Sequence, residues 1–190
     1  MKVIKTIFDE VKVIVPSVFE DNRGFFMESY HDGYLKKFGI DNQFVQDNHS
    51  LSSETGTLRG LHYQLSPQSQ AKLIRVIKGS IWDVVVDIRK NSPYFGEWYA
   101  LELSEQNRKQ LFIPKGFAHG FCTLEDKTEV IYKVDDYYSK ELERGIAWND
   151  QNLAIEWPVT NPVLSKKDQH HPPISKAELD EPVRGGIAVE

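Results

Sequence analysis

The feature that most constrains this chain is the spacing of its β-forming runs. Short stretches rich in Val, Ile, Phe and Tyr recur at 11–15, 25–30, 44–51, 57–64, 72–78, 81–89, 97–103, 111–114, 117–124 and 128–132. Turn formers punctuate them, among them Pro16-Ser17, Asp21-Asn22-Arg23-Gly24 and Gly79-Ser80. Parallel strands need a crossover of a dozen or more residues, usually a helix, and no gap carries a helical pattern of that kind. The one helical patch is 31–39, where Tyr34 and Leu35 reach Phe38 at i,i+4 and i,i+3 and Gly39 ends the run. An antiparallel sandwich or barrel is the architecture left. Within 82–88 the alternation predicts Trp82, Val84, Val86 and Ile88 on one face and Asp83, Val85 and Asp87 on the other.

Length and charge narrow the function. At 190 residues and 40% hydrophobic content the chain reads as one domain, 1–190, with one sizeable core. The tail from about residue 169 is polar and Pro-containing, and is expected to be peripheral with little core. A net charge of −5 without a long basic run argues against nucleic acid, so an anionic ligand must be held by a few placed cations. The single cysteine, Cys122, excludes a disulfide framework and fits a reducing cytosol. Asp9 and Glu10 interrupt any signal-like start, and no apolar stretch approaches a membrane span. A cytoplasmic protein without a membrane partner is expected.

Four stretches carry candidate chemistry. Leu58-Arg59-Gly60-Leu61-His62-Tyr63-Gln64 sets a permanent cation three residues from an imidazole. Ile113-Pro114-Lys115-Gly116-Phe117-Ala118-His119-Gly120-Phe121 turns into a strand whose one face would carry Phe117, His119 and Phe121, an apolar wall with one polar group. Its Pro-x-Gly-x-x-His spacing resembles the second motif of the cupin superfamily. The first cupin motif, His-x-His, is replaced by His62-Tyr63-Gln64. His62 and His119 then supply two ligands where even an open catalytic site needs about three, so no metal is expected. His170-His171 is a weak pair, because adjacent strand residues point to opposite faces. In Thr128-Glu129-Val130-Ile131-Tyr132-Lys133-Val134, Tyr132 shares a face with Val130 and matters only if it meets the cavity of His62. Leu164-Ser165-Lys166-Lys167-Asp168 reads alone as a charged loop. Arg23, Arg59, Lys72 and Lys167 could meet a diphosphate. With aromatic residues at 12%, Phe19, Phe26 and Tyr138 are the nearest candidates for stacking on a base.

Taken together, several strings resemble the dTDP-4-dehydrorhamnose 3,5-epimerase family. They are Asp21-Asn22-Arg23-Gly24-Phe25-Phe26, Phe44-Val45-Gln46-Asp47-Asn48-His49-Ser50, the His62 and His119 stretches, Val84-Val85-Val86-Asp87-Ile88-Arg89, Trp148-Asn149-Asp150 and Leu164-Ser165-Lys166-Lys167-Asp168. The resemblance runs in order from about Arg23 to Asp168. It implies an all-β, cupin-like jelly roll with a few short peripheral helices, a homodimer, and neither metal nor organic cofactor. It implies dTDP-4-dehydro-6-deoxy-α-D-glucose as substrate and dTDP-4-dehydro-β-L-rhamnose as product, a step in dTDP-L-rhamnose synthesis. By the same resemblance His62 is the general base, Asp168 its partner, Tyr132 the proton donor, and Lys72 lies near the enolate oxygen. Arg23, Glu28, Gln46, Asp47, Asn48, Arg59, His119, Glu143 and Lys167 would line the nucleotide-sugar site, with Arg23 and Glu28 candidates for reaching across the dimer.

The chemistry suits those residue types. A C4 ketone acidifies the C3 and C5 hydrogens, and inversion removes a proton from one face and returns one to the other. Histidine titrates near neutrality and suits the base role. Acid–base transfer alone gives roughly 10²- to 10⁴-fold, so a cation must also stabilise the enolate. One difficulty is geometric: in a regular strand Arg59 and His62 face opposite sides, unless Gly60 forms a bulge or Arg59 reaches in from a rim. The competing readings are a single-carbon epimerase or 3,4-ketoisomerase of the same fold, a non-catalytic sugar-binding jelly roll, and a metal-dependent cupin dioxygenase.

Overall fold

The computed structural model describes residues 1–181. The β-forming runs become two antiparallel-dominated sheets, each of six strands. In the first, the order is β1 (Lys2–Lys5), β2 (Lys12–Val15), β10 (Gln110–Ile113), β7 (Lys72–Lys78), β12 (Thr128–Val134) and β5 (Gln46–Ser52). In the second it is β13 (Glu143–Gly145), β6 (Thr57–Gln64), β11 (Phe117–Thr123), β8 (Ser80–Asp87) and β9 (Trp98–Ser104), with β14 (Val163–Leu164) parallel to β6. β3 (Val18–Asp21) and β4 (Gly24–Met27) form a separate hairpin. The antiparallel all-β class expected from the strand spacing is the one observed, in the two-sheet form that the family resemblance implies.

The helical patch is shorter than 31–39: α1 spans Asp32–Lys37, and the His31 side chain caps it by accepting from the Tyr34 amide. Phe38 leaves helical geometry, so the run stops before Gly39. β1, β3, β13 and β14 were not legible as strands, because each is only two to four residues long and too short for a period to register.

Three apolar clusters fix the architecture. Between the sheets, Val13, Ile74, Val76, Val85, Leu111, Ile113, Phe117, Phe121 and Val130 form a closed core. On the outer face of the second sheet, Leu61, Val84, Val86 and Ala118 are covered by Ile146, Leu153, Ile174 and Leu179. On the outer face of the first, α1 brings Leu35 against Ile14, Leu73 and Phe112. The alternation of 82–88 is as expected, but both faces are buried, one against each cluster.

The tail corrects its expectation. It is peripheral in position, but Ile174 and Leu179 are buried in the second cluster, and short 3-10 turns cover Asp168–His170 and Ile174–Lys176. The Tyr63 hydroxyl donates to the Glu178 carbonyl at 2.6 Å, and the Ser66 amide donates to Asp180 at 2.9 Å. Two apolar residues among many polar ones were enough to anchor the segment. The expectation for 182–190 lies outside the described residues.

Candidate active site

One end of the barrel interior is apolar and full; the other opens into a cavity of about 370 Å³. The first sheet contributes Ser50, Lys72 and Tyr132, the second Arg59, His62, His119 and Phe121, and the C-terminal segment Ser165, Lys167 and Asp168. Lys72 is in register with the core residues Ile74 and Val76, two and four positions along the same strand face. Tyr132 stands two residues from the core residue Val130 in the same way. An adjoining compartment shares His62, Lys72 and Tyr132, and adds Gln46, Asn48, Gln64, Tyr138 and Glu143.

A bulge settles the strand problem. His119 pairs with His62 and Phe121 with Arg59, so three steps on β6 oppose two on β11. The extra residue shifts Arg59 onto the face of His62. Gly60 makes this possible: its φ is +131°, and a Cβ there would stand 2.5 Å from the Gly120 Cα. The facing Gly120 completes the close approach.

His62 Nε2 is 2.6 Å from Asp168 Oδ1. Ser165 Oγ donates to Asp168 Oδ2 at 2.7 Å and accepts from the Asp168 amide at 3.1 Å. The 3-10 turn thus aims a buried carboxylate at the imidazole, leaving Nδ1 free to take a proton. Burial lowers the His62 pKa from its ordinary value, and Asp168 only partly opposes this, so the ring is neutral near pH 7. For Asp168 burial acts upward, but the neighbouring His171, His62 and Ser165 outweigh it and hold the carboxyl well below the usual range. Burial raises the Tyr132 phenol, with Arg59 opposing, so it keeps its proton. Burial lowers Lys72 to about 8, although Asp83 and Glu143 pull it upward. A neutral imidazole, a protonated phenol and a poised ammonium therefore share one cavity.

A second imidazole–carboxylate pair lies beside the first. His119 Nε2 is 3.0 Å from Asp83 Oδ2, and both residues are buried within the second sheet. At the mouth, Lys167 pairs with Glu143 at 2.5 Å and Tyr138 donates to Glu143 at 2.9 Å. Burial acts upward on Glu143, but these two partners lower it overall.

His62, Asp168 and His171 bring three possible metal-donor atoms within 4.8 Å of one another, a set that the count from sequence missed. The dyad's own spacing argues for a hydrogen bond instead. Two ligands about 2.0 Å from a tetrahedral ion stand about 3.3 Å apart, whereas His62 and Asp168 are 2.6 Å apart. Gln64, in the place of a second motif histidine, is occupied structurally: it donates to the Gln68 and Tyr137 carbonyls and accepts from the Ser139 amide.

Of the residues picked from sequence, His62, Lys72, Arg59, His119, Tyr132, Lys167 and Asp168 meet in the main cavity, and Gln46, Asn48, Tyr138 and Glu143 in the adjoining one. Asp47 does not join them within one chain: strand alternation turns it away, and it pairs with Lys133 at 2.8 Å. Nor do Arg23, Phe19 and Phe26, which lie on the β3–β4 hairpin around a different cavity. Arg23 pairs with Asp21 at 2.6 Å and is 85% exposed, and Glu28, just past the hairpin, is also exposed. Asp83, Ser165 and His171 were missed as site residues. An aspartate inside a Val-rich strand was the available signal for Asp83; His171 had none, since its place depends on how the tail folds back.

Comparison with known proteins identifies the family. Residues 5–176 match the family described as dTDP-4-dehydrorhamnose 3,5-epimerase. The dTDP-4-dehydrorhamnose 3,5-epimerase of Shigella flexneri is 54% identical over 169 residues, covering 88% of this chain and 93% of that protein. The crystal structure of the Bacillus anthracis enzyme with TDP and pyrophosphate bound is 54% identical, with a TM-score of 0.89 over 90% of this chain and 98% of that one. The Legionella pneumophila dTDP-6-deoxy-D-glucose-3,5-epimerase, in complex with dTDP-4-keto-L-rhamnose, is 47% identical, with a TM-score of 0.88 over 92% and 93% of the two chains. With residues 5–176 matched to the family and a relative 54% identical over 88% of the chain, this chain belongs to the dTDP-4-dehydrorhamnose 3,5-epimerases, a family of isomerases.

Proposed function

We propose that the protein inverts C3 and C5 of dTDP-4-dehydro-6-deoxy-α-D-glucose to give dTDP-4-dehydro-β-L-rhamnose, with His62 as base and Tyr132 as acid. The observation that carries this reading is that a neutral imidazole and a protonated phenol enter one cavity from opposite sheets. A ring bound between them has one face toward each.

His62 takes the proton from carbon, and the electron pair moves into the C4 carbonyl to give an enolate. Lys72 stabilises the developing oxyanion, most strongly because the site is poorly solvated. Tyr132 returns a proton to the opposite face, and the enolate collapses to the ketone. Repetition at the second carbon completes the inversion, after the phenol and imidazole exchange protons with solvent. Asp168 holds the His62 ring and stabilises the imidazolium. Arg59, Lys167 and His119 are the groups best placed to meet the diphosphate and sugar oxygens.

The functional unit is a homodimer in this reading. The hairpin exposes Phe19, Phe25 and Phe26 at 65%, 55% and 66%, an apolar ridge suited to a second copy, and carries Arg23 beside it. Arg23, Glu28 and the hairpin aromatics would then serve the partner's site. Mixing an Arg23→Ala chain with a His62→Asn chain should restore activity to the mixture, as one composite site per dimer would be intact. No restoration in a verified mixed dimer would defeat this arrangement.

The deciding test of the activity is incubation of the substrate in D₂O. Label at both C3 and C5, lost in His62→Asn, is the expected result. Label at one carbon only would make the protein a single-site epimerase, and binding without exchange would make it a sugar-binding protein.

A further inference from the structure

His171 is not needed by the steps above, yet it is packed against them. Its Nε2 is 3.4 Å from Asp168 Oδ1, the same oxygen that His62 meets at 2.6 Å. That nitrogen is buried with no hydrogen-bond partner among the described residues, and the two rings lie edge to face with centroids 5.5 Å apart. A buried polar atom costs free energy unless it is matched, so an unmatched one aimed at a carboxylate calls for an explanation.

The surroundings are built to keep the ring there. Gly145 lies directly across from His62 in the β13–β6 ladder, and a Cβ at Gly145 would collide with three atoms of the His171 ring. The glycine leaves the space that the imidazole fills. Just beyond, the Pro172 carbonyl accepts from the Ala147 amide at 2.8 Å, and the Ile174 amide donates to Asp150 at 2.5 Å. The segment that carries His171 is therefore tied down on its C-terminal side, as Asp168 is by Ser165 on the other.

We infer that His171 is a positioning residue for proton transfer: through an N–H at Nε2 it holds Asp168 Oδ1 on the line to His62. The inference rests on the base assignment of His62. The contact is the longer of the two because His62 already holds the same oxygen at 2.6 Å. The charged or titratable groups around the two rings are Asp168 and Lys167 from the C-terminal segment, Lys72 from β7, Glu143 from β13, and Arg59, His119 and Tyr132, which line the same cavity from β6, β11 and β12. A donor at His171 competes with His62 for the carboxylate. Its removal lets Asp168 attract the His62 proton more strongly, which raises the acid limb of kcat/KM.

Two variants separate the donor from the ring. His171→Phe keeps a flat ring over Gly145 but has no N–H; His171→Gln places an amide N–H at a similar reach. His171→Phe is expected to lose about tenfold in kcat with KM unchanged, the rate equivalent of one hydrogen bond to a carboxylate, and to shift its acid limb upward. His171→Gln should stay near wild type in both. Equal behaviour of the two variants, whether both intact or both impaired, overturns the inference. Nitrogen NMR of the wild-type imidazoles provides a measurement that needs no variant: a proton on His171 Nε2 supports the assignment, and a bare Nε2 overturns it. Failure of the base assignment is read separately, as exchange that persists in His62→Asn.

Discussion

The two imidazole–carboxylate pairs of the barrel, His62–Asp168 and His119–Asp83, sit on neighbouring strands, and their histidines are register partners. Their carboxylates come from different kinds of structure. Asp83 is a strand residue, fully buried and locked into the sheet beside His119. Asp168 hangs on a 3-10 turn, held by Ser165 and approached by His171. The contacts are 3.0 Å in the sheet pair and 2.6 Å in the turn pair. A sheet fixes a pair rigidly, which suits an anchor for ligand. A turn exposes its carboxylate to neighbours from outside the sheet, here Ser165 and His171, which can tune its pull on the imidazole.

The largest expected effect breaks the symmetry outright. His62→Asn should lower solvent exchange at both sugar carbons by about 10³-fold or more while leaving dTDP affinity near wild type, measured by calorimetry. His119→Asn should do the reverse, weakening binding by about tenfold with exchange still measurable at saturation. If His119→Asn were the exchange-dead variant, the assignment of roles to the two pairs would be inverted.

Next comes Lys72, which both pairs flank. Its ammonium is lost as pH rises through about 8, so the alkaline limb of kcat should fall there. Tyr132 does not account for that limb, because burial raises its pKa above the ordinary tyrosine value. In Lys72→Arg the limb should move well above 8 in a pH–rate profile; a limb that stays in place would assign it to another group. The acid limb should lie below the ordinary histidine value, since burial lowers the His62 pKa and activity is lost as the base is protonated.

The smallest effect tests the turn itself. Ser165→Ala removes one donor from Asp168, so the carboxylate should pull harder on the His62 proton and raise the acid limb. The kcat loss should be only a few-fold, on the order of one neutral hydrogen bond. Among the described residues Asp83 of the sheet pair has no such donor to remove, so a pH profile that responds at Ser165 would sharpen the distinction between turn and strand.

Much of this was legible along the chain. The period of residues 82–88, the turn signals and the missing crossover helices specify an antiparallel β fold, because strand alternation and turn chemistry are local properties. The strings around His62, His119, Tyr132 and Asp168 supply residues that line the cavity. The local pattern failed where pairing depends on distant chain. A one-residue bulge at Gly60 brings Arg59 to the side of His62, and only the facing Gly120 explains why. Asp47 shares its string with Gln46 and Asn48, yet faces the other way, as a strand requires.

By itself, then, the sequence determined the fold class and the kinds of group available for proton transfer, since both follow from residue type and short-range spacing. Only the tertiary structure decided which of those groups meet. His62 and Asp168 are separated by 106 positions and joined by 2.6 Å, and His171 joins them because a buried Ile174 and Leu179 draw the tail back over the sheet. Burial then set the protonation of His62, Tyr132 and Lys72, and burial is a property of the whole packed chain rather than of any segment in it.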